Sequence, residues 1–292
     1  MKLIHLPLTF IAFLVGCNET KNETKTLSKD KQIESSVVAK KSSTSSQKMV
    51  QINQELLKSK YPNGVPIPNM IEIPEGQFQM GNSERAKESP VRRVSVNKFK
   101  LAETEVTWEQ YQACVDTGPC PEKSDEDWGR GKRPAIYISW ETAQTYIKWL
   151  NKVTGGNYRL PTESEWEYAA RASSEQNFYW GNEVGENKAN CSGCGSQWDG
   201  IQTAPVKSFE PNSFGIFDMH GNVWEWVEDC FHRSYESAPL TSEAWLGDNC
   251  KSRMLRGGSW NNGWDRMSSS SRHSNSVRMS TYNTGFRLAQ DI

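Results

Sequence analysis

The chain carries almost no net charge: 34 Lys and Arg stand against 35 Asp and Glu, leaving −1 over 292 residues. That balance removes the electrostatic case for nucleic acid and for adsorption to an anionic membrane. Histidine is scarce, with four in the sequence, and His5 falls in an N-terminal apolar segment. A triad of metal-binding histidines would have to come from His220, His232 and His273 alone. There is no Ser-His-Asp, His-Glu-x-x-His or phosphate-loop pattern, and no internal repeat. Aliphatic side chains are few and rings many, with 12 Trp and 9 Tyr, the balance of a loop-rich domain packed through aromatics. Trp149, Trp166, Trp224 and Trp226 are expected in the core.

Long apolar runs are missing too. The one candidate, Leu3 to Gly16 after Lys2, is too short for a mature membrane span and reads as an export signal. It ends Leu14-Val15-Gly16-Cys17, the lipobox pattern in which cleavage leaves Cys17 as a lipidated N-terminus. Several acyl chains on one residue anchor stably where a single chain does not. Asn18 is not an acidic inner-membrane retention signal, so the expected location is the outer membrane of a bacterial cell envelope. With Cys17 set aside, 6 of the 7 cysteines remain. An even number in an exported chain predicts disulfides. Local spacing favours Cys114–Cys120, Cys191–Cys194 and Cys230–Cys250, although sequence alone does not choose among the pairings. Cys191-Ser192-Gly193-Cys194 is also compatible with a redox pair or half a zinc site. Neither a second Cys-x-x-Cys nor a His-x-x-x-His accompanies it, which leaves a structural bridge as the expectation.

Residues 18–66 hold Lys, Glu, Ser, Thr, Asn and Gln with almost no aromatics, a composition that cannot offset chain entropy by burial. They are expected to form a solvated tether, with a short helix over 51–61. The folded domain is expected over 67–292, opening with strands at Met70–Pro74, Gly76–Gly81 and Arg93–Val96. Three helices are signalled: 108–116 capped by Thr107, 140–153 capped by Ser139 and stopped at Gly155, and one from the Thr162-x-x-Glu165 capping box to about Ala172. From Asn177 onward Gly, Asn, Asp and Ser are frequent and no helical period persists, so the class is α+β with much irregular loop.

The run Arg159-Leu160-Pro161-Thr162-Glu163-Ser164-Glu165-Trp166-Glu167-Tyr168-Ala169-Ala170-Arg171 resembles a hallmark of the formylglycine-generating enzyme (sulfatase-modifying factor) family. So do Thr203-Ala204-Pro205-Val206, Asn212-x-Phe214-Gly215, Gly221-Asn222-Val223-Trp224-Glu225-Trp226, Arg256-Gly257-Gly258-Ser259-Trp260 and Gly285-Phe286-Arg287, in order and in register across about 68–290. The resemblance implies the family's variant of the C-type lectin fold. It also implies two structural Ca²⁺ sites. One would use Asn190, the Cys191 carbonyl, Asp199 and the Ile201 carbonyl; the other Asp218, the carbonyls of Gly221 and Val223, and Glu225. Mixed carboxylate, amide and carbonyl oxygens suit a hard cation, while Asp199 and Asp218 equally suit turn-making. Oxidases of the family bind copper through two cysteines at the positions that here hold Asn262 and Met267. Cu(I) prefers thiolates, so copper and aldehyde formation are not expected, although Ser259 of the motif is kept. The sulfur–carbon-bond-forming branch of the family takes iron histidines partly from an extra helical domain, which is not expected within these residues.

Residues 261–284 are rich in Ser, Asn, Arg, Trp and Tyr, with Met267, Val277 and Met279 alone offering aliphatic burial. Such side chains supply contact area at low entropic cost. The segment also resembles the variable region of diversity-generating retroelement target proteins, in which template asparagines are replaced on a fixed scaffold. Asn261, Asn262, Asn275 and Asn283 would be unchanged template-like positions; Trp260, Asn261, Asn262, Gly263, Trp264, Asp265, Ser268, Ser270, His273, Ser276 and Tyr282 are the expected contacts for a protein or cell-surface ligand. Three functions compete: a non-catalytic binding domain on a lipid anchor, a metal-dependent oxidase acting on a protein cysteine, and an assembly lipoprotein of the envelope.

Overall fold

In the computed structural model of the chain, which describes residues 55–61 and 64–292, each of three helices starts at a side-chain oxygen that captures an otherwise orphaned N–H. Thr107 Oγ1 accepts from Gln110 N while Gln110 Oε1 accepts from Thr107 N, a reciprocal pair that opens α1 (Trp108–Asp116). Ser139 caps α2 (Trp140–Thr154), which stops at Gly155 with φ of 72°. Thr162 and Glu165 form the second box, opening α3 (Glu163–Arg171). The export signal, Cys17 and the stretch to residue 54 lie outside the described residues. Residues 55–60 are helical, Leu57 packs against the core, and the Tyr61 hydroxyl donates to Asp116 at 2.9 Å.

All nine residues of α3 are buried although four are charged. The sequence permits this because arginines meet its acids, Arg256 and Arg272 from distant strands and Arg171 from the helix's own last turn. Arg272 binds both oxygens of Glu163 at 2.6 and 2.8 Å. Arg256 and Arg171 take one oxygen each of Glu167, at 2.6 and 2.8 Å. Buried charges need such pairing, since an unpaired one costs several kcal/mol, about 3–5 when one partner is removed.

The strands form three sheets. In the first, β1 (Met70–Ile73), β4 (Phe99–Ala102), β10 (Ala289–Asp291) and β5 (Tyr158–Arg159) lie in the order β1-β4-β10-β5, so the last strand of the chain is inserted between β4 and β5. β2 (Gly76–Met80) and β3 (Arg92–Val96) make a separate antiparallel pair. The third sheet has the order β8-β7-β6-β9, from β6 (Trp224–Cys230), β7 (Ser252–Arg256), β8 (Arg272–Ser276) and β9 (Thr284–Phe286), with β6 and β9 parallel. Strand and helix positions follow the expected ones closely. Trp149, Trp166, Trp224 and Trp226 are all buried. The segment between α3 and β6 is irregular, and all three expected disulfides are formed, including the Cys191–Cys194 bridge within that segment.

Candidate functional site

The parallel pairing of β6 with β9 sets Trp224 against Thr284, and Trp224 N donates to the Asn283 carbonyl at 2.8 Å. Beside them β7 runs into Gly257-Gly258-Ser259. Both glycines are left-handed, at φ of 95° and 77°, and a Cβ on Gly258 would meet Met267 Cβ at 2.8 Å. This tight turn delivers Ser259 into a polar network. Its hydroxyl reaches Asn262 Oδ1 at 2.6 Å and Asn261 Oδ1 at 2.9 Å; with one proton to donate, it serves one of them at a time. Trp224 Nε1 donates to the same Asn262 oxygen at 2.7 Å. Asn283 Nδ2 spans Asn261 Oδ1 at 2.9 Å and Ser259 Oγ at 3.2 Å.

Met267 points away from that network. It is fully buried with Phe178, Ala189 and the Cys191–Cys194 pair, its sulfur 3.9 Å from Cys194 Sγ. Its carbonyl lies 2.7 Å from His220 Nδ1. Burial lowers the His220 imidazole to about 4, which keeps it neutral near pH 7, packed among Phe178, Tyr179 and Trp180. A hard amide oxygen held by Trp224 Nε1 and within reach of the Ser259 hydroxyl, and a thioether sunk in an apolar cluster, do not fit a Cu(I) site, which calls for converging soft ligands.

Residues 54–292 match the Sulfatase-modifying factor enzyme 1-like domain. The chain belongs to this family. It is 30% identical over 290 residues to a formylglycine-generating enzyme of Streptomyces coelicolor, an alignment covering 76% of this chain and 88% of that protein. PvdO from Pseudomonas aeruginosa superposes with a TM-score of 0.71 at 30% identity, over 77% of this chain and 95% of that one. Variable protein 1 of Treponema denticola superposes with a TM-score of 0.64 at 24% identity, over 76% and 95%, and shares the fold. The family's α+β, C-type-lectin-like architecture is thus the one seen here.

Within this sulfatase-modifying-factor domain the expected contact residues divide. Trp264 and Tyr282 are 50% and 39% exposed, and Asp265, His273 and Ser276 are exposed as well. Asn261, Asn262 and Gly263 are half-buried, and Trp260 is buried against Trp128 and Tyr282. Ser268 and Ser270 do not belong to the surface. Arg256 draws the carbonyls of Ser269, Ser270 and Ser271 inward at 2.7–2.8 Å, and the Ser268 hydroxyl is held 2.8 Å from that of Ser271. Three of these four consecutive serines feed a buried guanidinium. Trp128 and Tyr137, far off in sequence, border the same face.

The two cation sites of the family can be tested on their oxygens. Asp199 accepts from Gly193 N and Gly195 N at 2.8 and 2.7 Å and so organises the turn bridged by Cys191–Cys194. Asn190 Oδ1 accepts from Ser196 Oγ at 3.0 Å, Ile201 is exposed, and no buried oxygen of Asn190 or Asp199 lacks a partner. That set gives no sign of a missing ligand. The second set differs. Asp218 Oδ1 and Glu105 Oε2 are buried without partners. Glu225 is bound through both oxygens by Arg287, at 2.6 and 2.7 Å. Burial lifts the Glu105 carboxyl well above the usual range, with Asp218 and Glu225 adding to it. Burial likewise raises Asp218 to about 6. Three buried acids against one arginine, with two idle oxygens, fit a divalent cation. No three His, Cys, Asp or Glu side chains converge on one point among the described residues, so backbone oxygens would complete the shell. Glu105 belongs to none of the sequence motifs and reaches Asp218 only through the fold.

Proposed function

We propose that this protein is a lipid-anchored sulfatase-modifying-factor domain in which the copper position has become part of a ligand-contact surface. The observation that carries this reading is Asn262. Its amide oxygen stands where the family's oxidases place a thiolate, and is held there by Ser259 and Trp224. The surface comprises the exposed parts of 260–284, with Trp264, His273, Ser276 and Tyr282 among its exposed side chains, and the partner is a protein or a cell-surface ligand. Those four are the positions at which retroelement-type variation would alter contacts while Arg256 and the serines beneath it stay fixed. Cys17 carries the anchor that places the domain on the envelope.

One structural Ca²⁺ is part of this proposal. Asp218, Glu225 and the carbonyls of Gly221 and Val223 would hold it, and it would neutralise acids that Arg287 alone does not balance. The competing oxidase reading draws on the Streptomyces coelicolor relative and on the retained Ser259. The two are separated by supplying copper and a cysteine-bearing sulfatase peptide and assaying for aldehyde, with none expected.

A further inference from the structure

Four rings and one carboxylate close a circuit on the face beside Asn261. Trp128 meets Trp260 edge-on, ring centroids 5.1 Å apart and planes at 84°. Trp260 lies 5.6 Å from Tyr282, and Tyr282 lies 6.5 Å from Tyr137, at 49° and 67°. The Tyr137 hydroxyl donates to Glu126 Oε1 at 2.8 Å. Glu126 is two residues from Trp128, so the backbone closes the loop. Glu126, Asp127 and Tyr137 all hold left-handed backbone, at φ of 56°, 57° and 59°, without being glycine. Such conformations persist where the surroundings over-determine them and gather at functional sites.

The chemistry of this corner is narrow. Glu126 has no cationic partner among the described residues; the neighbouring Arg130 is taken by Glu122 and Asp125. The adjacent amides are occupied with one another, Asn261 between Ser259, Asn283 and Tyr282. Sugar hydroxyls would therefore find few free partners. Trp260 is nine-tenths buried with Nε1 unpartnered, while Tyr282 is exposed and Trp128 and Tyr137 are half-buried. What the corner offers is ring surface set at steep angles, with a carboxylate that lacks a cationic partner at its Tyr137 edge. Ring faces attract a cation through their quadrupole and accept its methyl groups, and a carboxylate adds charge complementarity.

We propose that Trp128, Tyr137, Trp260 and Tyr282, with Glu126, form a binding site for a quaternary ammonium group of the kind carried by choline. This deepens the proposed role of the 260–284 face as a ligand surface and rests on it.

The test is calorimetric titration of the protein with choline and with 3,3-dimethylbutanol, its neutral isostere of the same shape. Choline should bind at least about tenfold more tightly, and Glu126→Gln and Tyr282→Ala should each weaken it by about three- to tenfold. Unchanged unfolding midpoints would show both variants folded. Co-sedimentation of full-length Cys17→Ser protein with phosphatidylcholine but not phosphatidylglycerol vesicles would identify a lipid headgroup. Choline binding without sedimentation would identify a free small molecule, and either outcome upholds the site. Absent choline binding, equal binding of the isostere, or an affinity unchanged in both variants would overturn it. Aldehyde assays on the same samples report separately on the parent proposal, which stands or falls on its own result.

Discussion

Calcium should stabilise this domain through Asp218, and the size of the effect can be worked from the buried acids. Glu105, Asp218 and Glu225 are buried about one guanidinium, that of Arg287, and two carboxylate oxygens have no partner. An ion that binds only the folded chain stabilises it by about 2.7 kcal/mol at a hundred times its dissociation constant. In a domain of this size 1 kcal/mol moves the unfolding midpoint by about 2–4 °C. Calcium against chelator should thus raise the midpoint by about 5–10 °C in a thermal scan. Asp218→Ala should abolish that difference. Asp218 has φ of 58°, so alanine there also carries a backbone penalty of about 1 kcal/mol or more. The decisive quantity is therefore the calcium-dependent shift and not the absolute midpoint. Equal midpoints with calcium and chelator in the unaltered protein would refute the reasoning, as would an undiminished shift in the variant.

Two further outcomes follow from single residues. Burial, with Glu163 beside it, raises Asp229 to about 7 from its ordinary 3.8. The folded state then keeps a proton that the unfolded chain has already released, so the contribution of Asp229 is full below pH 3.8 and is lost as pH rises through about 7. Denaturant titrations from pH 4 to 8 should show a shallower fall in stability for Asp229→Asn; parallel pH profiles would contradict the assignment. Cys17→Ser should move the protein from the membrane to the soluble fraction on cell fractionation, and retention in the membrane would remove the lipid anchor from the account.

The parts of this fold written in local chemistry were legible in the sequence. Thr107, Ser139 and Thr162 each cap a helix a few residues away, and the Cys114–Cys120 and Cys191–Cys194 bridges close short loops. What depended on distant partners was not. Ser268 and Ser270 have the composition of a contact surface, yet Arg256 recruits this serine run as an inner lining. Trp128 and Tyr137 carry no mark tying them to Trp260 and Tyr282, because only the fold brings those loops together. Asn262 was legible as a missing thiolate from the motif around it. Its bonds to Ser259 and Trp224, which make it part of a built network, needed the parallel pairing of β6 with β9.

That network is the centre of the account, and one measurement addresses it directly. The purified protein, loaded with copper and incubated aerobically with a cysteine-bearing sulfatase peptide, is assayed by mass spectrometry for conversion of the cysteine to the aldehyde. With an amide at 262 and a buried thioether at 267, no conversion above the copper-only background is predicted. Aldehyde that accumulates with the protein and disappears in Ser259→Ala would contradict the account and restore an oxidase.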